Sequence, residues 1–366
     1  MINASRATRV GFVSAGDDEY GVRRSLEGLF RGFQDQGVEP VLICLEAGPM
    51  MELGPLTGAE THACAIGVPR NFGSFADAFH NLAFMARASA ALAKVLKRLD
   101  LEAVIVRQGF QVPLTARAAH IAGVPSFWLM PNLVSDRYPL RLNARIYDLL
   151  LARYGMTAIA NSHYTRTSLL GRRARSAVSH LGINPETFAA DTRPADRAAY
   201  GFEPGDALFG IFARMVEFKG QLEFVQAIGR AAGQHPDARL LIVGGPIEGD
   251  YAAKVRAEID RLGLGGKVLL AGPANRLPDG MPALYAMCDV IVNARIDPEP
   301  FGLSVIEGML MAKPLLVHAL GGPAETVVDG EDGWHVTEPT ASGFAAGIDR
   351  AMADRGPARD RRARRR

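Results

Sequence analysis

Short runs of apolar, largely β-branched residues recur along the chain, each followed by a stretch with helical spacing. This alternation limits the fold more than any other feature. "RVGFVS" (9–14), "VEPVLICL" (38–45), "EAVIVR" (102–107), "VPSFWLM" (124–130) and "MTAIAN" (156–161) have the length and composition of strands. Residues 21–36 have the spacing of an amphipathic helix between the first two. Strands this apolar are buried on both faces, which a parallel sheet covered by helices provides. The rhythm lapses in "AADTRPADRAAYGFEPGD" (189–206), a polar stretch containing proline. It restarts with "ALFGIFAR" (207–214), "ARLLIVGG" (238–245), "KVLLAG" (267–272), "DVIVNAR" (289–295) and "KPLLVHA" (313–319).

The reading is therefore α/β: two Rossmann-like doubly wound domains facing a cleft. An N-terminal domain spans 1–190, a linker 191–206, a C-terminal domain 207–354 and a basic tail 355–366. A length of 366 residues also exceeds what one core usually holds. Cys44, Cys64 and Cys288 are scattered, with no CxxC pair, which fits a reducing cytoplasm and argues against a cysteine metal site. The opening residues lack the apolar core of a secretory leader, and no apolar run reaches the length of a membrane span. The expected location is cytoplasmic, at the inner face of the membrane.

Net charge is +2 but uneven. Residues 1–190 hold 20 Lys+Arg against 15 Asp+Glu, residues 191–354 hold 14 against 23, and the tail holds 7 against 1. The first half and the tail favour an anionic surface.

Strand ends are where parallel sheets bind ligands. At the end of the first strand of the second domain, Arg214 and Lys219-Gly220 place two cations beside a helix start, a pattern that binds anions. "EPFGLSVIEGM" follows "DVIVNAR". It sets Glu299 just before a helix beginning near Gly302, with Glu307 one to two turns inside it. The N–H groups of Gly302, Leu303 and Ser304 are placed to cradle a phosphate. The two carboxylates suit paired hydroxyls at the ends of one extended ligand. Against this stands a plainer reading: solvated Arg214 and Lys219, Glu299 as a capping acid, and Glu307 as a core acid satisfied by backbone.

"EPFGLSVIEGMLMAKPLLVHALGGPAETVVDGEDGWHV" resembles the signature of the retaining glycosyltransferase family 4, the group 1 glycosyltransferases of GT-B fold. The shared pattern runs through two glutamates with seven residues between them. Lys313-Pro314-Leu315, Gly321-Gly322-Pro323-Ala324-Glu325 and Gly333 follow. Upstream, Ala213-Arg214-Met215 with Lys219-Gly220, Leu240 to Gly244, and Leu284 to Asp289 match in order. The resemblance implies that Arg214 and Lys219 hold a donor diphosphate. It has Phe301, Gly302, Leu303 and Ser304 cradle that group, Glu299 bond the donor sugar, and Glu307 bond the ribose. Glu299, Arg214 and Lys219 are the catalytic candidates. The resemblance also implies no metal and no bound cofactor, because a nucleotide-diphosphate sugar enters as the donor substrate and the cations and helix end take the leaving charge.

In the first domain Gly21-Val22 resembles the family's Gly-rich loop, with Tyr20 where another glycine stands and Gly16 as an alternative donor contact. Ser162, Gly182 and Phe188 match further positions. Many family members place a histidine after the fourth or fifth strand. Here those spots carry Arg107-Gln108 and Pro131-Asn132, and none of the eight histidines falls there. His120 reads as helix surface or a satisfied core residue and His163 as a cleft residue or a helix start, while His318 ends a second-domain strand facing the Gly321-Gly322 loop. The family's closing crossover helix is replaced by "DRGPARDRRARRR".

The implied partners are a nucleotide-sugar donor and a glycan, lipid-linked or small-molecule acceptor, with no nucleic acid. The arginine-rich stretch from Arg137 to Arg175, interleaved with Leu140, Ile146, Leu149 and Leu150, reads either as a solvated helix face or as a peripheral contact with an anionic membrane. Two alternatives share the architecture: a sugar-nucleotide binder without transfer activity, and a sugar-nucleotide epimerase. A dehydrogenase is disfavoured, since no G-x-G-x-x-G follows the first strand.

Overall fold

The computed structural model describes residues 7–17, 20–33, 36–67, 75–134 and 141–354. The chain divides into two units, residues 1–180 and 181–366. In the first, β1 (Thr8–Ser14), β2 (Val38–Cys44), β3 (Glu60–Ala63), β4 (Ala103–Val106), β5 (Ser126–Met130), β6 (Thr157–Ala160) and β7 (Ser176–Val178) form one sheet in the order β3-β2-β1-β4-β5-β6-β7. In the second, β8 (Ala207–Phe212), β9 (Ala238–Val243), β10 (Val268–Gly272), β11 (Val290–Asn293), β12 (Leu315–His318) and β13 (Gly333–Val336) run in the order β10-β9-β8-β11-β12-β13. The strand pairings within both sheets are parallel, as the continuous apolar runs require.

The ten strands read from sequence all appear, most of them shorter than read, because pairing stops where the chain turns toward a helix. β3, β7 and β13 were not among those runs. They are edge strands of three or four residues, too short for a period-2 signal to stand out. The helix expected over 21–36 runs Tyr20–Phe33. Inside the second sheet every side chain of β8 is buried, and those of β11 and β12 likewise. One layer of core lies against helix Gln221–Ala231, with Phe224 and Ile228 meeting Phe209 and Ile211. The other gathers Leu208, Phe212, Tyr285 and Leu315.

The expected linker over 191–206 and the boundary at 190 are corrected. Phe188, Ala195 and Phe202 are buried in the same core as Leu208 and Tyr285. Arg197 donates to Asp206 O and Met287 O (both 2.9 Å) and to Asp289 Oδ2 (2.9 Å). Asp289 in turn accepts from Leu208 N at 2.9 Å. A stretch that looks like a linker by its polarity is thus pinned to the second unit by one arginine and a few anchored aromatics. The basic tail 355–366 lies outside the described residues, as does Arg137.

Candidate functional site

In the second sheet the strand order reverses between β8 and β11, the switch point at which such sheets bind ligands. The predicted residues come from the two loops leaving these strands. Arg214 follows β8 by two residues and is exposed. Its carbonyl accepts from Gln221 Nε2 at 2.8 Å, which ties the Arg214 turn to the start of helix Gln221–Ala231. Between them, Gly220 has φ +70°, and a Cβ there would stand 1.9 Å from Ala294 O. Only glycine lets the β8 loop press against the backbone leaving β11. That close approach carries Lys219 to the β11 loop.

There Lys219 Nζ donates to Glu299 Oε2 at 2.6 Å, and Arg295 Nη1 donates to Glu299 Oε1 at 3.0 Å. Arg295 also donates to Asp297, through Nη2 to Oδ2 at 3.2 Å and through Nε to Oδ1. Its guanidinium lies over the Phe218 ring, 4.8 Å from the centroid. Burial works against the Arg295 charge, but the bonds to Asp297 and Glu299 outweigh it and hold its pKa above the ordinary arginine value. Glu299 is 8% exposed and buried between two cations, which is how a carboxylate is tolerated out of water.

The loop after β12 frames this group. Gly322 N donates to Glu299 O at 2.8 Å, and a parallel bridge joins Glu299 to Gly321. Gly321 has φ +97° with a Cβ position 2.1 Å from Glu299 O, and a Cβ on Gly322 would lie 2.5 Å from Phe301 Cα. The Gly-Gly pair is therefore a backbone-contact requirement. His318, buried at the end of β12, is bonded through Nδ1 to Arg295 O at 2.9 Å. A carbonyl only accepts, so Nδ1 carries the proton. Desolvation pulls the His318 pKa below the ordinary value, against the opposing effects of the Arg295 carbonyl and Asp297.

Gly302, at φ +88°, turns the chain into helix Leu303–Leu310. Phe301 and Gly302 are buried, Ser304 is half-buried and Leu303 is exposed. The first N–H groups of an α-helix have no partner within it and carry partial positive charge. Glu307, 7% exposed, accepts from Tyr285 OH at 2.6 Å. A phenol, not only backbone, therefore holds the second glutamate. Tyr285 is fully buried and stacks on Phe212 at 3.7 Å, so the end of β8 also orients Glu307.

The structure thus joins Lys219 and Glu299 directly, sets Arg214 at the tip of β8, and puts Phe301, Gly302, Leu303, Ser304 and Glu307 on the next turn and helix. Sequence reasoning missed Arg295 and Tyr285. Arg295 is a cation just past a strand at the switch point, the same signal that singled out Arg214; Tyr285 has no local signal. Gly16 and Gly21 belong to the first unit. Gly16 has φ +115° and its Cβ position lies 2.2 Å from Glu46 O, so contact within its own unit already requires glycine. Gly21 lies in the first turn of helix Tyr20–Phe33. His120 is exposed on helix Val112–Ala122. His163 begins a short helix whose cap is Ser162, which accepts from Thr165 N at 2.9 Å. Among the described residues no three His, Cys, Asp or Glu side chains gather as metal ligands would.

Two doubly wound parallel sheets, the second with this switch-point group, define the class: the GT-B architecture. Solved structures share it. A glycosyltransferase from Rickettsia africae matches with TM-score 0.78 at 20% identity, over 98% of this chain and 92% of that one. Anabaena HepE in complex with UDP matches with TM-score 0.79 at 21% identity, over 97% and 93%. Residues 192–366 match the family described as glycosyl transferases group 1. A D-inositol 3-phosphate glycosyltransferase of Mycobacterium sp. (strain KMS) is 31% identical over 192 residues, 52% of this chain and 42% of that protein. A GDP-mannose-dependent alpha-(1-6)-phosphatidylinositol monomannoside mannosyltransferase of Mycolicibacterium smegmatis is 30% identical over 207 residues, 53% of this chain and 52% of that protein. The matched segments span about half the length of these curated relatives or less.

Proposed function

We propose that the chain is a glycosyltransferase that moves a sugar, with retention of anomeric configuration, from a nucleotide-diphosphate sugar to a hydroxyl of a glycan, lipid-linked or small-molecule acceptor. The observation that carries this reading is the Lys219–Glu299–Arg295 group beside the start of helix Leu303–Leu310 at a sheet switch point. The family match over residues 192–366 supports it. The names of similar proteins supply UDP and GDP-mannose as ligands to try.

In this reading a diphosphate, with more negative charge than one carboxylate, draws Lys219 from Glu299 Oε2. That exchange frees an oxygen to accept from a sugar hydroxyl, while Arg295 keeps the Glu299 side chain aimed. Arg214 and the N–H groups near Gly302, Leu303 and Ser304 take the rest of the leaving charge, in the role a metal ion fills elsewhere. Glu307, steadied by Tyr285, bonds the ribose. The setting is the cytoplasm, in the synthesis of cell-surface polysaccharide or glycolipid.

A thermal-shift screen of UDP-, GDP- and ADP-sugars identifies the donor, because a ligand that binds only the native state raises its apparent stability. Glu299→Ala and Lys219→Ala are expected to abolish transfer while remaining folded; full activity in both would sink the proposal. A second reading, a sugar-nucleotide binder without transfer, is favoured by one observation: Lys219 and Arg295 take both Glu299 oxygens. A measured donor affinity with neither transfer nor donor hydrolysis would select it.

A further inference from the structure

The turn that carries Arg214 is pinned by its backbone. Met215 N donates to Gly245 O at 2.9 Å, and the Arg214 carbonyl accepts from Val216 N at 3.0 Å as well as from Gln221 Nε2. Gln221 opens helix Gln221–Ala231 and is fully buried, so protein groups must satisfy its side-chain amide. Such an amide presents a donor at one end and an acceptor at the other. Reversed, it would set its oxygen against the Arg214 carbonyl oxygen.

Tyr251 keeps the amide the right way round. It lies in the first turn of helix Asp250–Arg261, half-buried against the core that holds Phe224 and Val255. Its OH accepts from Leu222 N at 3.2 Å and donates to Gln221 Oε1 at 3.3 Å. Leu222 N is one of the N–H groups a helix start leaves without an internal partner, so the hydroxyl oxygen is committed to it and the proton turns to Gln221. Burial pushes the phenol up to about 12, so that proton stays in place at neutral pH. A chain of hydrogen bonds thus runs from the phenol, through a buried amide, to the backbone of Arg214. The same helix reaches the β8 loop again, where Lys254 Nζ donates to Glu217 Oε1 at 3.1 Å. That pair is exposed on both sides, where an ion pair contributes little.

We propose that Tyr251 is a positioning residue for the donor diphosphate: through Gln221 it sets the Arg214 turn, and with it the direction in which the guanidinium leaves the tip of β8. The inference rests on the reading of Arg214 as a diphosphate contact. Apolar side chains of similar shape would fill the same space without needing matched polar partners. A buried polar chain that ends on the backbone of an exposed arginine at a sheet switch point serves aim more than cohesion.

The test is calorimetric titration of the full chain with UDP, GDP and ADP, followed by steady-state transfer with the sugar of whichever nucleotide binds. Tyr251→Phe, which keeps the ring, is expected to stay folded and to bind the nucleotide about three- to tenfold more weakly. Gln221→Met, of similar volume, should lose at least as much. Lys254→Ala should bind like the wild type. In an Arg214→Ala background, Tyr251→Phe should weaken binding no further than about twofold, because residues acting through one another are not additive. A merely structural role would show the same factor in both backgrounds. Tyr251→Phe that binds and transfers like a nucleotide-binding wild type would overturn this inference alone, as would a loss that persists without Arg214 or an equal loss in Lys254→Ala. A wild type that binds none of the three nucleotides would overturn it together with the reading of Arg214.

Discussion

At the scale of single residues the second unit depends on one carboxylate facing two cations. Replacing Glu299 with Gln leaves Lys219, mostly buried, without its counter-charge and Arg295 with Asp297 alone. We expect a stability loss of about 3 kcal/mol, read by urea unfolding, and a transfer rate lower by about a hundredfold or more. A Lys219→Met variant should be milder in stability, because Arg295 still pairs with Glu299, yet as severe in transfer if Lys219 holds the diphosphate. His318 adds a pH dependence whose sign follows from its depressed pKa. The unfolded state binds a proton near pH 6.5 that the folded state resists. Its contribution is therefore fully present above about pH 6.5 and is lost as pH falls through that value toward the folded pKa. Comparing wild type with His318→Asn between about pH 5.5 and 7.5 should show a shallower acid loss in the variant; parallel curves would refute it.

At the scale of elements, backbone approach places the side chains. Gly220, Gly321 and Gly322 let the loops after β8, β11 and β12 run against one another. Gly220→Ala combines a positive φ with a Cβ 1.9 Å from Ala294 O and should cost about 2–4 kcal/mol. Gly265→Ala meets nothing within 4 Å and serves as a control expected within about 0.5 kcal/mol of wild type. Thermal denaturation of both checks the contrast. These glycines stood out in sequence only through a family pattern, because the atom each would strike lies on a different loop. Tyr285 was missed for a similar reason, since its partner Glu307 is 22 residues away across a core. Arg295 is only four residues from Glu299 on one loop, and its place just past a strand was the signal to read.

At the scale of the whole molecule, the division at residue 181 can be checked directly. A fragment beginning at 181 keeps Phe188, Phe202 and Arg197 in the second unit's core and should unfold cooperatively. One beginning at 207 exposes that core and leaves Asp289 without Arg197. We expect the shorter fragment to be less stable by several kcal/mol, about the cost of lost aromatic burial and a broken ion pair. Equal melting of the two fragments would restore the linker assigned from composition.

Runs such as "ALFGIFAR" and "DVIVNAR" were enough by themselves to give parallel strands, because burial on both faces leaves an unbroken apolar signature. The sequence also carried the order of Arg214, Lys219, Glu299 and Glu307 along a strand–helix rhythm. Two things were decided only in three dimensions. Residues 189–206 are core-anchored although polar, since a few aromatics and Arg197 outweigh average composition. Glu299 and Arg295 meet Lys219 because Gly220 lets the β8 loop press against the β11 loop that carries them, and a local pattern cannot encode a contact made between loops.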